Sequence, residues 1–592
     1  MINQKIWSFF LLLLVVLFLF TGCSSNTPIN SNNNSSNPIG ESYALTVITE
    51  GEGNVIEEEI INTADYENGT EVKLTAVTDE TNWLFSHWEG DYTGNENPIE
   101  VIMDGNKTIT AVFQSTVLGD NQPYEITNWH QLNEVRNNLD AQFILMENLN
   151  SSSLGYIEFV GNQTRTSEGW NPIGVDTIAF SGLFDGNDKM ISDLYINRSD
   201  VEYVGLFGAN EGKIENLGVE VINITGYNGV AGLVAYNAGD ILNCNVSGTI
   251  EGNDYVGGLV GYHLAGTIDN CYVKGDIYGN SYLGGLIGLN EYNGQEVLNS
   301  YIEANVTGEN DYIGGIIGYN GGSDLTSNYA NIEISGLKYV GGLVGYNEGG
   351  IIDSCYTNGS INGNNTVGGL VGFNESTEKI LNSYVEGRVE GEKDFVGGLI
   401  GNNEGGIIEK CYVTGDIFGE SLIGGLIGSN STSSEILKSY AQTDVTGKND
   451  ANYIGGLVGY NGGLVRDCYA IGRIYGYSQV GGLIGYMDDL LDSNIERSYS
   501  AGEVIGGEKY GGLIGYNMDE TYYNNVSNSY WNIETGSGIN HSEGGEGKTT
   551  TEMSQEVTFV GWDFTNNWDI EEGETYPYLK WQADKIPNIP NG

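Results

Sequence analysis

Basic residues are scarce in this chain. Lys and Arg together number 23 against 79 Asp and Glu, for a formal net charge of −56 at pH 7. That balance excludes a nucleic-acid partner, because neutralising a phosphate backbone takes clustered Lys and Arg. Histidine occurs at four positions only (87, 130, 263 and 541), and none has the His-Glu-x-x-His spacing that a zinc peptidase needs. Cysteine is also sparse. Apart from Cys23, the five cysteines (244, 271, 355, 411 and 468) share one column of a repeat. The last three fall two turns apart, roughly 9–10 Å, beyond disulfide reach. Cys244 and Cys271 fall on adjacent turns and could meet, but Ser replaces Cys freely in the column, so small buried thiols are expected. Helical periodicity is nearly missing too. Gly makes up 89 of 592 residues, at a cost of roughly 1 kcal/mol each in a helix interior. One stretch reads as helix, Asn128–Leu139, with Trp129, Leu132, Val135 and Leu139 on one face.

What the chain has instead is a repeat. An aliphatic or aromatic residue, Gly-Gly-Leu, an aliphatic residue and Gly recur twelve times, the first two copies being looser, with Val204 in place of a glycine in one and Ala231 and Ala235 in the other. The copies begin at 203, 230, 256, 283, 313, 340, 367, 396, 423, 454, 480 and 510, in steps of 26 to 31 residues. A period of that size marks stacked units that cannot bury their apolar faces alone. Nearly every turn also carries a small residue (Cys, Ser or Asn) followed by Tyr, then an aliphatic residue five positions on. Length varies only between these blocks. Fixed strands with variable corners predict an all-β parallel β-helix of about 12 turns plus caps, with three short strands per turn. At ~4.8 Å per turn it would be about 58 Å long. Identical positions then stack into ladders. The longest is Tyr272, Tyr301, Tyr329, Tyr356, Tyr384, Tyr412, Tyr440, Tyr469, Tyr499 and Tyr530. A second aromatic set follows the glycine phrase: Tyr236, Tyr262, Tyr319, Tyr346, Phe373, Tyr460, Tyr486 and Tyr516, interrupted by Asn402 and Ser429. The Gly-Gly pair points to a corner or bulge where only bare backbone fits. Turns with a short Gly-Gly corner carry Cys (355, 411, 468), and those between them carry Ser (383, 439, 498), so the duplicated unit reads as two turns.

These phrases resemble the GLUG motif, a bacterial surface repeat, from Tyr203 to about Gly515. Phe180–Asn187 resembles the turn that precedes such repeats. Ser529–Asn532, Gly547–Met553 and Tyr576–Leu579 resemble their usual ending. The resemblance implies a parallel β-helix exported to the surface, with adhesion or matrix contact, and no catalytic residue. Right-handed winding is the general expectation for parallel crossovers.

Residues 1–22 read as a targeting segment: Lys5, then an apolar run from Ile6 to Phe20 that is short for a membrane span. Leu19–Cys23 resembles a bacterial lipobox, which makes Cys23 the lipidated N-terminus. Residues 23–42, rich in Asn and Ser, read as a tether. Residues 43–115 alternate as β-strands. Gly51-Glu52-Gly53, Phe85–Asp91 and Met103–Lys107 there resemble a divergent internalin-type B-repeat. His87 in that module is expected to be a packed strand residue. Residues 116–202 read as a linker with the first turns and N-terminal cap, 203–530 as the β-helix, and 531–592, with Trp531, Trp562, Trp568 and Trp581, as a cap that plugs the far end. An uncovered rung would expose a sheet edge.

The acidic charge reads first as a solvated surface that keeps a long β-stack soluble. The alternative is structural Ca²⁺ at the corners, where Asp254, Asp311, Asp394 and Asp450 recur. Hard cations want several oxygen ligands, but the Gly-Gly-x-Gly-x-Asp nonapeptide of calcium β-rolls is missing. No other cofactor is expected, and no peptidase, lyase or triad signature is visible. The chain reads as a lipid-anchored bacterial cell-surface rod that binds polysaccharide or a surface or matrix protein, touching membrane only through its lipid. The alternatives are a β-helical carbohydrate-active enzyme (lyase or hydrolase) and a purely structural stalk. Exposed, the aromatic ladders would suit a polysaccharide; buried, they would stiffen the rod. The long Tyr column is expected to be buried, and the second set, Tyr236 to Tyr516, to be exposed and to supply the ligand contacts.

Overall fold

A computed structural model describes residues 42–58, 65–119, 123–161, 168–175, 177–488, 493–518, 525–535, 539–582 and 587. The expected targeting segment, Cys23 and the expected tether up to residue 41 lie outside the described residues. The architecture is all-β: a parallel β-solenoid of about twelve turns, preceded by a small β-rich module. One of its ladders holds twelve parallel strands, from Phe207–Asn210 to Ile514–Asn517.

One turn shows why the sequence winds this way. Lys338–Gly341, Val344–Asn347, Ile352–Asp353 and Tyr356–Gly363 are its strands. Each pairs in parallel with its counterpart one turn on, through Val340 and Val367, Val344 and Val371, Ile352 and Ile380, and Tyr356 and Tyr384. Inside, Val340, Leu343, Val344, Ile352, Cys355, Thr357 and Ile361 are fully buried. Each large aliphatic among them contributes about 1.5–3 kcal/mol of transfer free energy, an upper figure because unfolded chains are partly compact. Four strands form per turn rather than the expected three. The stretch from Tyr356 to the next glycine phrase bends at Gly363, where a Cβ would lie 2.6 Å from a Val367 methyl. In two turns the same stretch runs through unbroken, as Tyr412–Gly424 and Tyr440–Gly455.

The Gly-Gly pair is a corner made by close approach. A Cβ on Gly341 would sit 1.9 Å from the Val344 carbonyl oxygen of its own turn, and one on Gly342 2.1 Å from the Gly369 carbonyl oxygen of the next. Left-handed backbone falls elsewhere, on residues with side chains. Tyr339 (φ +55°) precedes the glycine phrase and Ser354 (φ +56°) precedes the Cys/Ser column, and both positions repeat along the rod. Such residues cost of order 1–3 kcal/mol each unless surrounding structure over-determines them; here parallel ladders hold them on both sides.

Two buried polar ladders tie the turns together. Asn320 donates to the Asn347 side-chain oxygen at 2.8 Å, Asn347 to Asn374 at 2.9 Å and Asn374 to Asn403 at 2.8 Å. In the Cys/Ser column, serine hydroxyls accept main-chain N–H groups from the turn before, as Ser383 does from Cys355 at 3.1 Å and Ser439 from Cys411 at 3.0 Å. These asparagine amides and serine hydroxyls are thus paired where the interior would otherwise penalise them. All five described cysteines are buried and free. Cys244 and Cys271 do lie on adjacent turns, where the Cys244 N–H points at the Cys271 sulfur, 3.5 Å away.

At the N-terminal end, Tyr124–Ile126, Gln142–Leu145, Leu183–Asn197 and Lys213–Thr225 stack as parallel rungs beneath the first glycine phrases. The helix is shorter than expected. It spans Trp129–Glu134, with the Asn128 side chain accepting from the Gln131 N–H as N-cap, and passes into a single 3-10 turn, Val135–Asn137. Leu139 is drawn out of it because its carbonyl accepts the N–H groups of Ser181 and Gly182 at 2.8 and 3.0 Å. Trp129, packed edge-on to Trp170 at 5.5 Å, and Phe143, Phe180, Phe184 and Phe207 fill this end of the rod.

The preceding module pairs Leu45–Glu50 and Trp83–Gly90 with Lys107–Ser115, and Asn54–Glu58 and Ile99–Met103 with Thr70–Val77. Its core is Val72, Leu74, Trp88, Met103, Ile109 and Phe113. His87 lies on a strand but is half-exposed, its ring nitrogens meeting the Ser86 hydroxyl at 3.0 Å and the Glu89 carboxylate at 2.9 Å.

Candidate functional site

The tyrosine ladder lies on the outside of one wall. Alternation within its strands decides this: Tyr356 is half-buried, Thr357 buried and Asn358 exposed. The rings stack at the strand spacing. Tyr301 and Tyr329 are 4.7 Å apart with planes 3° from parallel, and Tyr356 and Tyr384 are 4.9 Å apart at 2°. Each ring face is covered by the rings above and below, so the column presents edges and hydroxyls outward.

The column has two different halves. Tyr272 to Tyr412 are half-buried and face outward, whereas Tyr440, Tyr469, Tyr499 and Tyr530 are buried. The cause is the C-terminal segment. One rung, Glu546–Lys548, extends the wall on Tyr530–Asn532. The chain then turns and lies back along the flank instead of plugging the end, packing Met553, Phe559, Trp562, Trp568, Tyr576 and Leu579 over the last four tyrosines. Each of its indoles spans two rungs. Trp581 lies 6.3 and 5.7 Å from Tyr412 and Tyr440, Trp568 6.3 and 6.2 Å from Tyr469 and Tyr499, and Trp562 6.2 Å from both Tyr499 and Tyr530. Each indole N–H reaches the left-handed residue two before a ladder tyrosine. Trp581 donates to the Lys438 carbonyl (3.0 Å), Trp568 to the Asp467 carboxylate (3.2 Å) and Trp562 to the Asn528 carbonyl (2.8 Å). Beneath them, the Tyr469 hydroxyl donates to Gln582 at 2.9 Å and the Tyr499 hydroxyl to the Pro577 carbonyl at 2.7 Å. Burial pushes both phenols well above their ordinary range.

The second aromatic set forms its own column, on the opposite side of the Gly-Gly corner. Tyr236 stacks on Tyr262, Tyr319 on Tyr346, Tyr346 on Phe373 and Tyr460 on Tyr486, with centroids 4.9–5.5 Å apart, and Tyr486 meets Tyr516 at 5.5 Å. All eight are half-buried. Their hydroxyls tie successive turns together: Tyr262 donates to Glu291, Tyr319 to Glu348, Tyr346 to Glu375 and Tyr460 to Asp488. Burial first, and the facing carboxylate next, raises the Tyr319 and Tyr346 phenols. A third aromatic column went unnoticed in the sequence. Tyr255, Tyr282, Tyr312 and Tyr339, the left-handed residues before the glycine phrase, pack edge-to-face on the second set, as Tyr339 does on Tyr346 at 5.3 Å and 88°. Its signal was an aromatic residue one place before the repeat phrase.

The four corner aspartates are not brought together. Asp254 faces Ser281 in the next turn, Asp311 faces Lys338, and Asp394 faces Ser421. Asp254 accepts the Ser281 N–H at 3.0 Å, and burial raises the Asp311 and Asp394 carboxyls. Asp450 is exposed and out of the column, where Asn452 takes its place opposite Ser421. Among the described residues no group of three or more His, Cys, Asp or Glu side chains is placed to hold a metal ion. Nor is any described helix long and apolar enough to cross a membrane.

Comparison with known proteins agrees with the repeat and the module. The family model of the divergent InlB B-repeat domain matches residues 43–117. That of the GLUG motif matches 252–278, 336–362, 363–390, 396–417 and 450–475. A halomucin of Haloquadratum walsbyi is 34% identical over 27% of this chain, and a protein of Evansella cellulosilytica described as a Gly-rich membrane protein is 30% identical over 26%. The matched stretches span only 2% and 21% of those two relatives. A solved Bacteroides ovatus structure described as an immunoglobulin A1 protease covers 79% of this chain and 94% of its own, at 16% identity and a TM-score of 0.24, too low to carry an argument. The chain is a β-solenoid that carries GLUG motifs behind a segment matching the divergent InlB B-repeat domain.

Proposed function

We propose that this chain is an exported binding rod, held at the cell surface through lipid on Cys23, that engages a polysaccharide or a surface or matrix protein along its open tyrosine face. One observation carries the reading: a single aromatic column is sheathed by the chain's own C-terminal segment over four turns and left uncovered by the described residues from Tyr272 to Tyr384. An enzyme of this architecture would set a non-repeating charged cluster on one wall, whereas this wall repeats from turn to turn. Beside the tyrosines lies a shallow polar groove lined by Asp276, Glu303, Asn305, Asn331, Glu333 and Ser360. The similarity to a membrane protein supports a place at the envelope, and the acidic surface favours partners other than polyanions.

The test is co-sedimentation of the chain carrying Cys23→Ser with insoluble bacterial and host polysaccharides, and pull-down on immobilised envelope and matrix proteins. New reducing ends or unsaturated sugars are assayed in the supernatant. Binding without new ends is expected. New ends would replace the binding rod with an enzyme, and no binding to any surface would leave a spacer.

A further inference from the structure

The C-terminal segment shows how this wall holds a polypeptide. Three features recur at each contact: an indole across two ladder tyrosines, its N–H on the left-handed residue two places before a tyrosine, and the ladder edge meeting a tilted aromatic face. A tilted or edge-to-face meeting is the favourable arrangement for aromatic quadrupoles. The uncovered turns repeat the first and third of these surfaces, and they repeat the backbone of the second. Left-handed φ is +46° at Lys438, +56° at Asp467 and +47° at Asn528. In the open turns it is +47° at Asn299, +58° at Ser327, +56° at Ser354 and +48° at Asn382. At two of the three contacts the indole acceptor is the carbonyl of that left-handed residue, and the open turns carry the same left-handed corner. The strip is also continuous with the occupied one, since Tyr384 stacks on Tyr412, which Trp581 already touches.

We infer that the open ladder from Tyr272 to Tyr384 is a docking strip for a tryptophan-bearing polypeptide segment of a partner protein, received as the chain receives its own residues 553–582. This rests on the binding-rod reading and narrows its partner. A sugar ring stacks on an aromatic face, and here the faces are taken up by neighbouring rungs 4.7–5.1 Å away, leaving edges. An indole uses those edges, and its single N–H donor matches a carbonyl acceptor.

The probe is a synthetic peptide of residues 554–582, added to the full chain carrying Cys23→Ser. Hydroxyl-radical footprinting reports which tyrosines it shields. Shielding of Tyr301, Tyr329, Tyr356 and Tyr384 is expected, and it should vanish for the peptide with Trp562, Trp568 and Trp581 all changed to Ala. Tyr329→Ser with Tyr356→Ser should weaken peptide binding about tenfold, the loss of one or two aromatic contacts. Footprinting of the unsubstituted chain stands even if that variant misfolds. No shielding, or shielding confined to Tyr440–Tyr530 through exchange with the chain's own segment, would overturn the inference. A soluble polysaccharide that shields the open tyrosines where the peptide does not would overturn it and leave the binding rod standing. If neither ligand shields any residue and no surface retains the chain, both fall.

Discussion

The Trp568 indole donates to the Asp467 carboxylate across 101 residues of sequence. The same carboxylate takes two hydrogen bonds from the Arg497 guanidinium, at 2.8 and 3.0 Å. Asp467 is almost wholly buried. One left-handed corner of the rod thus anchors both the next turn and the segment that sheathes the ladder.

Asp467→Ala should destabilise the chain by about 3 kcal/mol, because it leaves an indole N–H and a partly buried guanidinium without their acceptor. Asp467→Asn should cost less, since its oxygen still accepts one of those bonds. Denaturant midpoints of the two variants check the order; equal costs would show that the carboxylate charge contributes everything.

Tyr469 and Tyr499 ionise far above the ordinary phenol range because the C-terminal segment excludes water from them. A chain ending at Met553 should return both toward a pKa of about 10. Spectrophotometric titration near 295 nm would then show more phenolate at pH 11 than the full chain does. An unchanged curve would mean that the rod wall, not the segment, buries them.

His263 interrupts the buried asparagine ladder. Its Nδ1 lies 3.0 Å from the Asn237 amide nitrogen, while its Nε2 and the Asn290 side-chain oxygen of the next turn have no partner. Burial holds its pKa down to about 4, against 6.5 for a free imidazole. The folded ring stays neutral while the unfolded one takes a proton, so this site's contribution is complete above pH 6.5 and falls away as pH drops towards 4. The total is roughly 3 kcal/mol. His263→Asn should restore the ladder, raise stability by about 1 kcal/mol and remove that pH dependence. Unfolding curves at pH 7.5 and 4.5 measure both effects.

The two glycines of a corner should be irreplaceable, while a neighbouring loop glycine should tolerate change. Gly342→Ala places a methyl 2.1 Å from a main-chain oxygen of the next turn, which two hydrogen-bonded backbones cannot both escape. A loss of about 3 kcal/mol or more is expected. Gly349→Ala, whose nearest neighbour would be 3.2 Å away, should cost less than about 1 kcal/mol. Thermal unfolding of the pair is the check.

Much of the fold was legible because a solenoid is written locally. Every turn repeats its buried aliphatics, its Gly-Gly corner and its Cys/Ser column within a 26–31-residue window, so the period, the β class and the number of turns follow from the sequence alone. The same holds for the small module, whose alternating strands and turn glycines are close together. Other features were not local. Whether Tyr356 faces in or out depends on strand parity across the Gly-Gly corner, and a glycine pair carries no side chain to mark it. Nothing in the sequence marks Asn347 as buried; only the stacking of turns brings its amide within 2.9 Å of the Asn374 side-chain oxygen. That Tyr469 is buried while Tyr356 is not depends on Trp568 and Gln582 returning along the flank. The sequence by itself determined the coil and its interior, because identical turns bury identical faces. Only the tertiary structure decided which part of the tyrosine column is covered, because that contact joins residues about a hundred positions apart that share no repeat.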